Sequence, residues 1–282
     1  MELSQGERDE LQTAKYLLEN PGLAAKLSGY VGKPIEWGIG LLPANWAETV
    51  GEVTTDSLKA AANAALFTMK DAPGGAPWNL AHTLGASAAG ALGGFFGIAT
   101  LPLELPVTTT LMLRSILDIA RSQGESISEP DVKLACLEVF ALGSDKTQSD
   151  DATDTGYFAV RTAMSKAVSK AVSELAAKGA AAITPESSSA LLKAIAQIAS
   201  RFSIVVSEKA AAQALPFIGA ATGAAINAAF MDHYQDMAKG HFTIRRLGRK
   251  YGDAFVRDVY DSLPSKPPKA IPVDPSAEVQ VA

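Results

Sequence analysis

The chain has 282 residues, of which 48% are hydrophobic and 7% aromatic, and a formal net charge of -5. That length allows one large domain or two small ones, with enough chain to bury a core. The mild negative charge argues against nucleic acid as a partner, because a phosphate backbone rewards clustered Lys and Arg. A single cysteine, Cys136, excludes an intrachain disulfide and a cysteine-based metal site.

Fifty alanines make helix the favoured state throughout, and with so few aromatics the core must come from Leu, Ile, Val and Ala at close approach. Alternating β-branched runs joined by hairpin dipeptides are absent, so the expected class is all-α: a multi-helix bundle with two long Gly/Ala-rich apolar helices packed centrally. The first residues, Met1-Glu2-Leu3-Ser4, lack the basic-then-apolar pattern of a secretory signal, which points to a cytoplasmic origin. Residues 1–33 read as an N-terminal helix and lead-in, residues 34–262 as the main helical domain.

In chain order, the first unusual element is residues 72–103, which carry no charged side chain. The length suffices to span a bilayer core. About half of the stretch is Gly or Ala, however, and these contribute little transfer free energy. Gly93 and Gly97 stand four apart, the spacing that lets helix backbones approach closely in lipid. Phe95 and Phe96 lie between them as candidate lipid-facing residues. The stretch runs into Leu101-Pro102-Leu103-Glu104-Leu105-Pro106.

A helix is expected to start near Pro106, where a first-turn proline is tolerated, and to end at Gly124. Arg114, Asp118 and Arg121 give it a stripe expected to be solvated. The next helix places Val132, Ala135, Cys136, Val139 and Phe140 on one face, with Ser128 as its cap and Gly143 as a left-handed terminator. Residues 144–155 are polar and acidic and read as a loop. Helical patterns resume from about Gly156 to Gly179. Thr184-Pro185-Glu186 reads as a further helix start, followed by a run over residues 187–214.

A second uncharged stretch covers residues 210–231 and carries Gly219 and Gly223 at the same four-residue step. After it come Lys239, Arg245, Arg246, Arg249 and Lys250, with no acid between Lys239 and Asp253. Such a basic cluster beside an apolar segment is attracted to anionic lipid, at about 1 kcal/mol per charge near the surface. A solvated helix face is the commoner origin of a basic run taken alone. The last amphipathic element spaces Ile244, Leu247, Tyr251 and Phe255 over residues 242–260. The proline-rich residues 263–282 are expected to be disordered.

Several of these motifs resemble the EcsC family. In that family a Leu-Pro-x-Asp-Leu-Pro motif precedes a helix with a Leu-Arg pair and an Ile-Ala pair. Here Leu101 to Pro106, then Leu113-Arg114, Ile119-Ala120 and Gly124 look like that signature. Leu215-Pro216-Phe217-Ile218-Gly219-Ala220 with Gly223 and Asn227 is similar to the family's second hallmark, and Arg245-Arg246 to its basic C-terminal helix. The similarity runs from about residue 34 to residue 260. Glu104 stands where the family has Asp, which keeps the carboxylate and lengthens its reach. The resemblance implies membrane association, peripheral or partly inserted at the inner face of the cytoplasmic membrane. It implies, through the family's name, a genomic link to an ABC transporter and so a transporter-linked membrane protein as partner. It implies no enzymatic activity.

Reaction chemistry is thinly represented. Glu104 follows a long apolar stretch and needs a cationic partner, for which Arg245 or Arg246 would serve, or its pKa rises. Its structural reading is a buried ion pair or a charge favoured at a helix N-terminus. Asp232, His233 and Asp236 do not converge on one helix face, so no metal is expected. No phosphate-binding glycine loop and no nucleophile elbow is present, and Cys136 sits on an apolar face. No catalytic residue and no cofactor is assigned.

Two functional readings follow. The first is a non-enzymatic membrane-associated accessory protein whose apolar helices and basic C-terminal helix contact lipid. The second is a soluble helical module that binds a lipid or other apolar ligand in a groove lined by Phe95, Leu101, Phe217 and Ile218.

Overall fold

In the computed structural model the described residues are 2–19, 23–32, 34–65, 69, 71, 86, 97–143, 156–178, 188–215 and 220–264. Among them the protein is a bundle of α-helices with no strand: α1 Gln5–Glu19, α2 Leu23–Val31, α3 Ile35–Ile39, α4 Trp46–Ala65, α5 Leu101–Ser122, α6 Pro130–Glu138, α7 Gly156–Lys178, α8 Ser189–Ala214, α9 Ala220–Tyr251 and α10 Asp253–Ser262. Short 3-10 turns at Gly97–Thr100 and Val139–Ala141 precede α5 and follow α6. The expected all-α class is what the chain adopts.

Two long helices form the spine. α8 lies against α2, α3, α4 and α7, while α9 lies against α1, α2, α5 and α10. They meet through aromatic rings: Phe202 of α8 stacks on Phe230 of α9 at 6.0 Å and meets Tyr234 edge-on at 5.5 Å, and Phe140 closes the cluster at 4.9 Å from Phe202. Offset and edge-to-face rings of this kind add about 0.5–1.5 kcal/mol per pair beyond the area they bury.

Two termini fall where their glycines place them. Gly124 (φ +79°) ends α5 and Gly143 (φ +73°) follows the turn after α6. A side chain at Gly143 would also strike the ring of His233, with a Cβ only 2.4 Å from Nε2. The apolar face from Val132 to Phe140 is buried as expected.

Other boundaries differ from expectation. α5 starts at Leu101, more than a turn before Pro106. Pro102 falls among the first helical positions, where its missing N–H is an orphan anyway, and Pro106 removes only the bond to the carbonyl of Pro102. Ser128 does not cap α6. Glu129 takes that position, and the Ser128 hydroxyl bonds Asp71 at 2.9 Å. Ser188 caps α8 through the Leu191 amide, whereas Thr184 and Pro185 lie outside the described residues. The element expected over residues 242–260 is two helices, because the backbone turns at Gly252 with φ +88°.

The charged stripe of α5 is not solvated. Asp118 is buried and paired with Arg121, and Arg114 donates to the carbonyl of Ala64 at 3.4 Å. The second uncharged stretch is not one helix either. α8 ends at Ala214, Leu215 is extended as the residue before a proline should be, and α9 restarts at Ala220. The two uncharged stretches do meet: the fully buried Asn227 side chain donates to the carbonyl of Ala86 at 2.9 Å, and Ala86 is itself buried.

Candidate functional site

The last turns of α8 organise one end of the bundle. On one side the carboxylate of Glu104, in the first turn of α5, accepts from Lys209 Nζ at 2.5 Å and from Gln213 Nε2 at 3.2 Å. Lys209 and Gln213 are one helical turn apart, so both reach the same carboxylate. Lys209 is fully buried and its ammonium lies over the Phe230 ring, 5.0 Å from the centroid. Desolvation lowers its pKa, while Glu104 pulls it back up. The positive end of the α5 dipole adds to the stabilisation of Glu104.

On the other side, Gly38 of α3 lies against the backbone of Ala211. A Cβ at position 38 would sit 2.2 Å from the Ala211 carbonyl oxygen, so no residue but glycine allows this approach. α3 therefore turns its smallest residue inward. Its neighbours Trp37 and Ile39 face solvent, each 49% exposed, and Leu41 follows at 46%.

The start of α5 shows the same inversion. Glu104, Thr108 and Thr109 point into the protein, and the hydroxyls of both threonines and of Thr54 and Ser57 on α4 have no hydrogen-bond partner among the described residues. Leu103 and Val107, one turn apart on the opposite face, are 79% and 52% exposed. Trp37, Ile39, Leu41, Leu103 and Val107 are the large apolar residues most exposed among those described, and they flank Gly38 and Glu104, which touch the C-terminal turns of α8.

The expected partners of Glu104 are thus corrected. Arg245 and Arg246 lie near the far end of α9, about 25 residues or ~37 Å along the helix from its start. Arg245 pairs with Glu125 and Asp131 at 3.1 Å each, and Arg246 with Glu10 at 2.5 Å. Arg249 pairs with Glu125, Lys250 with Glu7 at 2.7 Å and Lys239 with Asp236 at 3.3 Å. Every member of the basic cluster is therefore matched by a carboxylate from within the protein, three of them from the N-terminal helix or the loop after α5.

Of the groove residues, Leu101 is buried, and Phe95, Phe96, Phe217 and Ile218 lie outside the described residues. His233 turns into the core beside Gly143, where burial pushes its pKa down to about 4. Asp236 instead pairs with Lys26 at 3.1 Å, so the imidazole and this carboxylate face different ways. Burial pushes the Cys136 thiol up, away from nucleophilic use. Among the described residues no group of His, Cys, Asp and Glu could hold a metal ion.

Sequence reasoning singled out Glu104 but not Lys209, Gln213 or the α3 apolar residues. A signal existed for each. Lys209 is the last charge before the second uncharged stretch, and Trp37-Gly38-Ile39-Gly40-Leu41 alternates large apolar residues with glycine.

The architecture is that of an all-α bundle with polar groups buried and large apolar groups exposed at one end. The chain belongs to the EcsC protein family, which it matches over residues 11–247. That span begins at Leu11 within α1, so Glu7 and Glu10, which bind the basic end of α9, precede it. No curated protein and no solved structure matches the chain significantly.

Proposed function

We propose that this EcsC-family protein is a non-enzymatic, membrane-associated accessory module that lays its inverted end against a bilayer. The observation that carries the reading is the inversion itself. Buried polar groups with exposed large apolar ones mark a surface that meets something other than water. Both uncharged stretches of the sequence border this end: residues 72–103 lead into Leu103, and residues 210–231 begin at the turn of α8 that Gly38 touches.

The contact is peripheral or shallow in this reading. α8 is the one described helix long and apolar enough to cross a membrane, and its apolar window is 56% buried by its neighbours. The basic end of α9 takes no part, because its cations already face carboxylates and water-exposed pairs leave little net field. The transporter link implied by the family resemblance would place a membrane protein beside the same surface.

Flotation of the full chain with protein-free vesicles tests the proposal. The protein is expected to rise with vesicles of neutral or anionic lipid alike, and no transporter is needed for it. Retention in the aqueous fraction at low salt, with anionic vesicles present, would overturn it.

A further inference from the structure

We infer that the first turns of α1 are a releasable acidic cover over the basic end of α9, and that an anionic lipid surface binds there once the cover lifts. The site lies at the far end of α9 from the inverted end and does not depend on it.

The cover is a pair of carboxylates one helical turn apart. Glu7 accepts from Lys250 Nζ at 2.7 Å and from the Tyr251 hydroxyl at 2.8 Å, and Glu10 accepts from Arg246 at 2.5 Å. Lys250 first, then Ser4 and Tyr251, hold the Glu7 carboxyl down to about 2, so it stays charged near neutral pH.

α1 divides at Leu11. Its buried residues, Leu11, Ala14, Lys15 and Leu18, all follow Glu10. Leu18 packs on Gly240, where a Cβ would stand 2.6 Å from Leu18 Cγ, and Lys15 donates to the carbonyl of Tyr260 at 2.9 Å. Ahead of Leu11, the apolar residue packed on the core among those described is Leu3, itself only partly buried. Exposed ion pairs contribute little, and terminal turns with few buried apolar groups open first. The second half of α1 therefore stays docked while the first lifts. The family match also begins at Leu11, after both carboxylates.

Lifting the cover reverses the local charge. With it in place, Glu7, Glu10, Glu125, Asp131 and Asp253 stand against Arg245, Arg246, Arg249 and Lys250. Five acids oppose four cations, and without the cover three acids remain. Among the described residues Arg246 then keeps the Gln123 side chain, and Lys250 the face of the Tyr251 ring at 5.0 Å. Arg246, Arg249 and Lys250 share one helix face at i, i+3 and i+4. The side chains of Lys250 and Arg249 are 62% and 46% exposed, whereas Glu125, which Arg249 binds, is 5% exposed. A flat anionic surface meets these cations before it meets Glu125, with a gain of the same order as the pairs it replaces. The cover thus keeps the parent protein near indifference to lipid charge.

Co-sedimentation of the full chain with phosphatidylcholine or phosphatidylserine vesicles tests the inference. Glu7→Gln with Glu10→Gln is expected to bind phosphatidylserine roughly tenfold more tightly than the parent, a gain that raised salt removes. Phosphatidylcholine binding should not change. Leu3→Ser loosens the cover with no change in net charge and is expected to shift phosphatidylserine binding the same way. Glu2→Gln with Asp9→Asn raises the net charge as much, keeps both ion pairs and should stay near the parent. Arg246→Gln with Lys250→Gln, added to the Glu7 and Glu10 changes, should abolish the gain. Circular dichroism confirms that each variant is folded. An equal gain in the Glu2 and Asp9 variant, a gain that survives loss of Arg246 and Lys250, or no gain in either cover variant overturns the inference. So does a gain for polyglutamate without one for vesicles, which would make the partner an acidic protein. Loss of phosphatidylcholine flotation on changing Trp37 and Leu103 leaves these differences standing, so the two readings fail separately.

Discussion

Lys209 and Glu104, 105 positions apart in the chain, meet at 2.5 Å with side chains 0% and 4% exposed. The pair ties the start of α5 to the end of α8. A lone charge left at this depth is far costlier than no charge at all. Glu104→Gln or Lys209→Met alone is therefore expected to lower stability by about 3–5 kcal/mol, and the double change Glu104→Leu with Lys209→Leu should recover most of that loss. Urea denaturation of the three variants measures it. Single changes no more damaging than the double change would show that the pair carries no such coupling.

At the surface the expectation is reversed. Trp37→Ser with Leu103→Ser removes exposed side chains, so folding stability should stay within about 0.5 kcal/mol of the parent. Membrane partition should suffer instead, by roughly 1.5–3 kcal/mol for each large apolar group that no longer leaves water. Vesicle flotation paired with thermal unfolding reads both quantities. A variant that loses stability and keeps its flotation would show that these residues serve the fold.

The helices were legible because their cause is local. A period of 3.6 along Val132 to Phe140 and left-handed glycines at 124 and 143 act through neighbours a few positions away. The helix start at Leu101 was hidden by two prolines four apart, either of which can occupy a first turn. The division of residues 210–231 was hidden by uniform composition, with Pro216 as its one mark. What could not be read is what depends on distant sequence. Nothing in the spacing around Glu104 names Lys209, and the charges of Arg114, Asp118 and Arg121 look solvated until α4 and the other helices are laid over them. The inverted end was missed for the same reason, since exposure of Leu103 and burial of Glu104 depend on where α8 ends.

Gly38 offers a sharper probe of how α3 is held. Gly38→Ala places a methyl 2.2 Å from the Ala211 carbonyl oxygen, which is backbone and cannot swing aside. Overpacking of this sort costs about 1–3 kcal/mol and pushes the two backbones apart. The variant is expected to unfold earlier in urea and to release the Trp37 ring from its set position, seen as lower fluorescence anisotropy or altered quenching. A variant as stable as the parent would mean that α3 can move away without loss.

Two buried imidazoles give stability a definite pH dependence. His233 is held down to about 4 by burial, with Lys26 adding and Asp236 opposing. His241 is pushed the same way by burial, Arg161 and Arg245, while its Nδ1 pairs with the Tyr157 hydroxyl at 3.0 Å. Above the unfolded value of 6.5 both states are neutral and stability is full. Below it the unfolded chain takes up protons that the folded protein refuses, so stability falls as pH drops, at about 1.4 kcal/mol per pH unit for each histidine. His233 alone should remove about 3 kcal/mol by pH 4. Glu138 works in the opposite direction, since its raised pKa stabilises at low pH and loses that contribution as pH rises through the folded value. Asp232, raised by burial and by Asp236, works in the same direction as Glu138, so the histidine contribution from about pH 4.5 to 6.5 is read as the difference between the parent and His233→Leu. Urea midpoints across that interval measure the slope, and His233→Leu should lower it by about 1.4 kcal/mol per pH unit. Identical slopes in the parent and His233→Leu would mean that the ring is already protonated in the folded protein, with a counter-charge beside it.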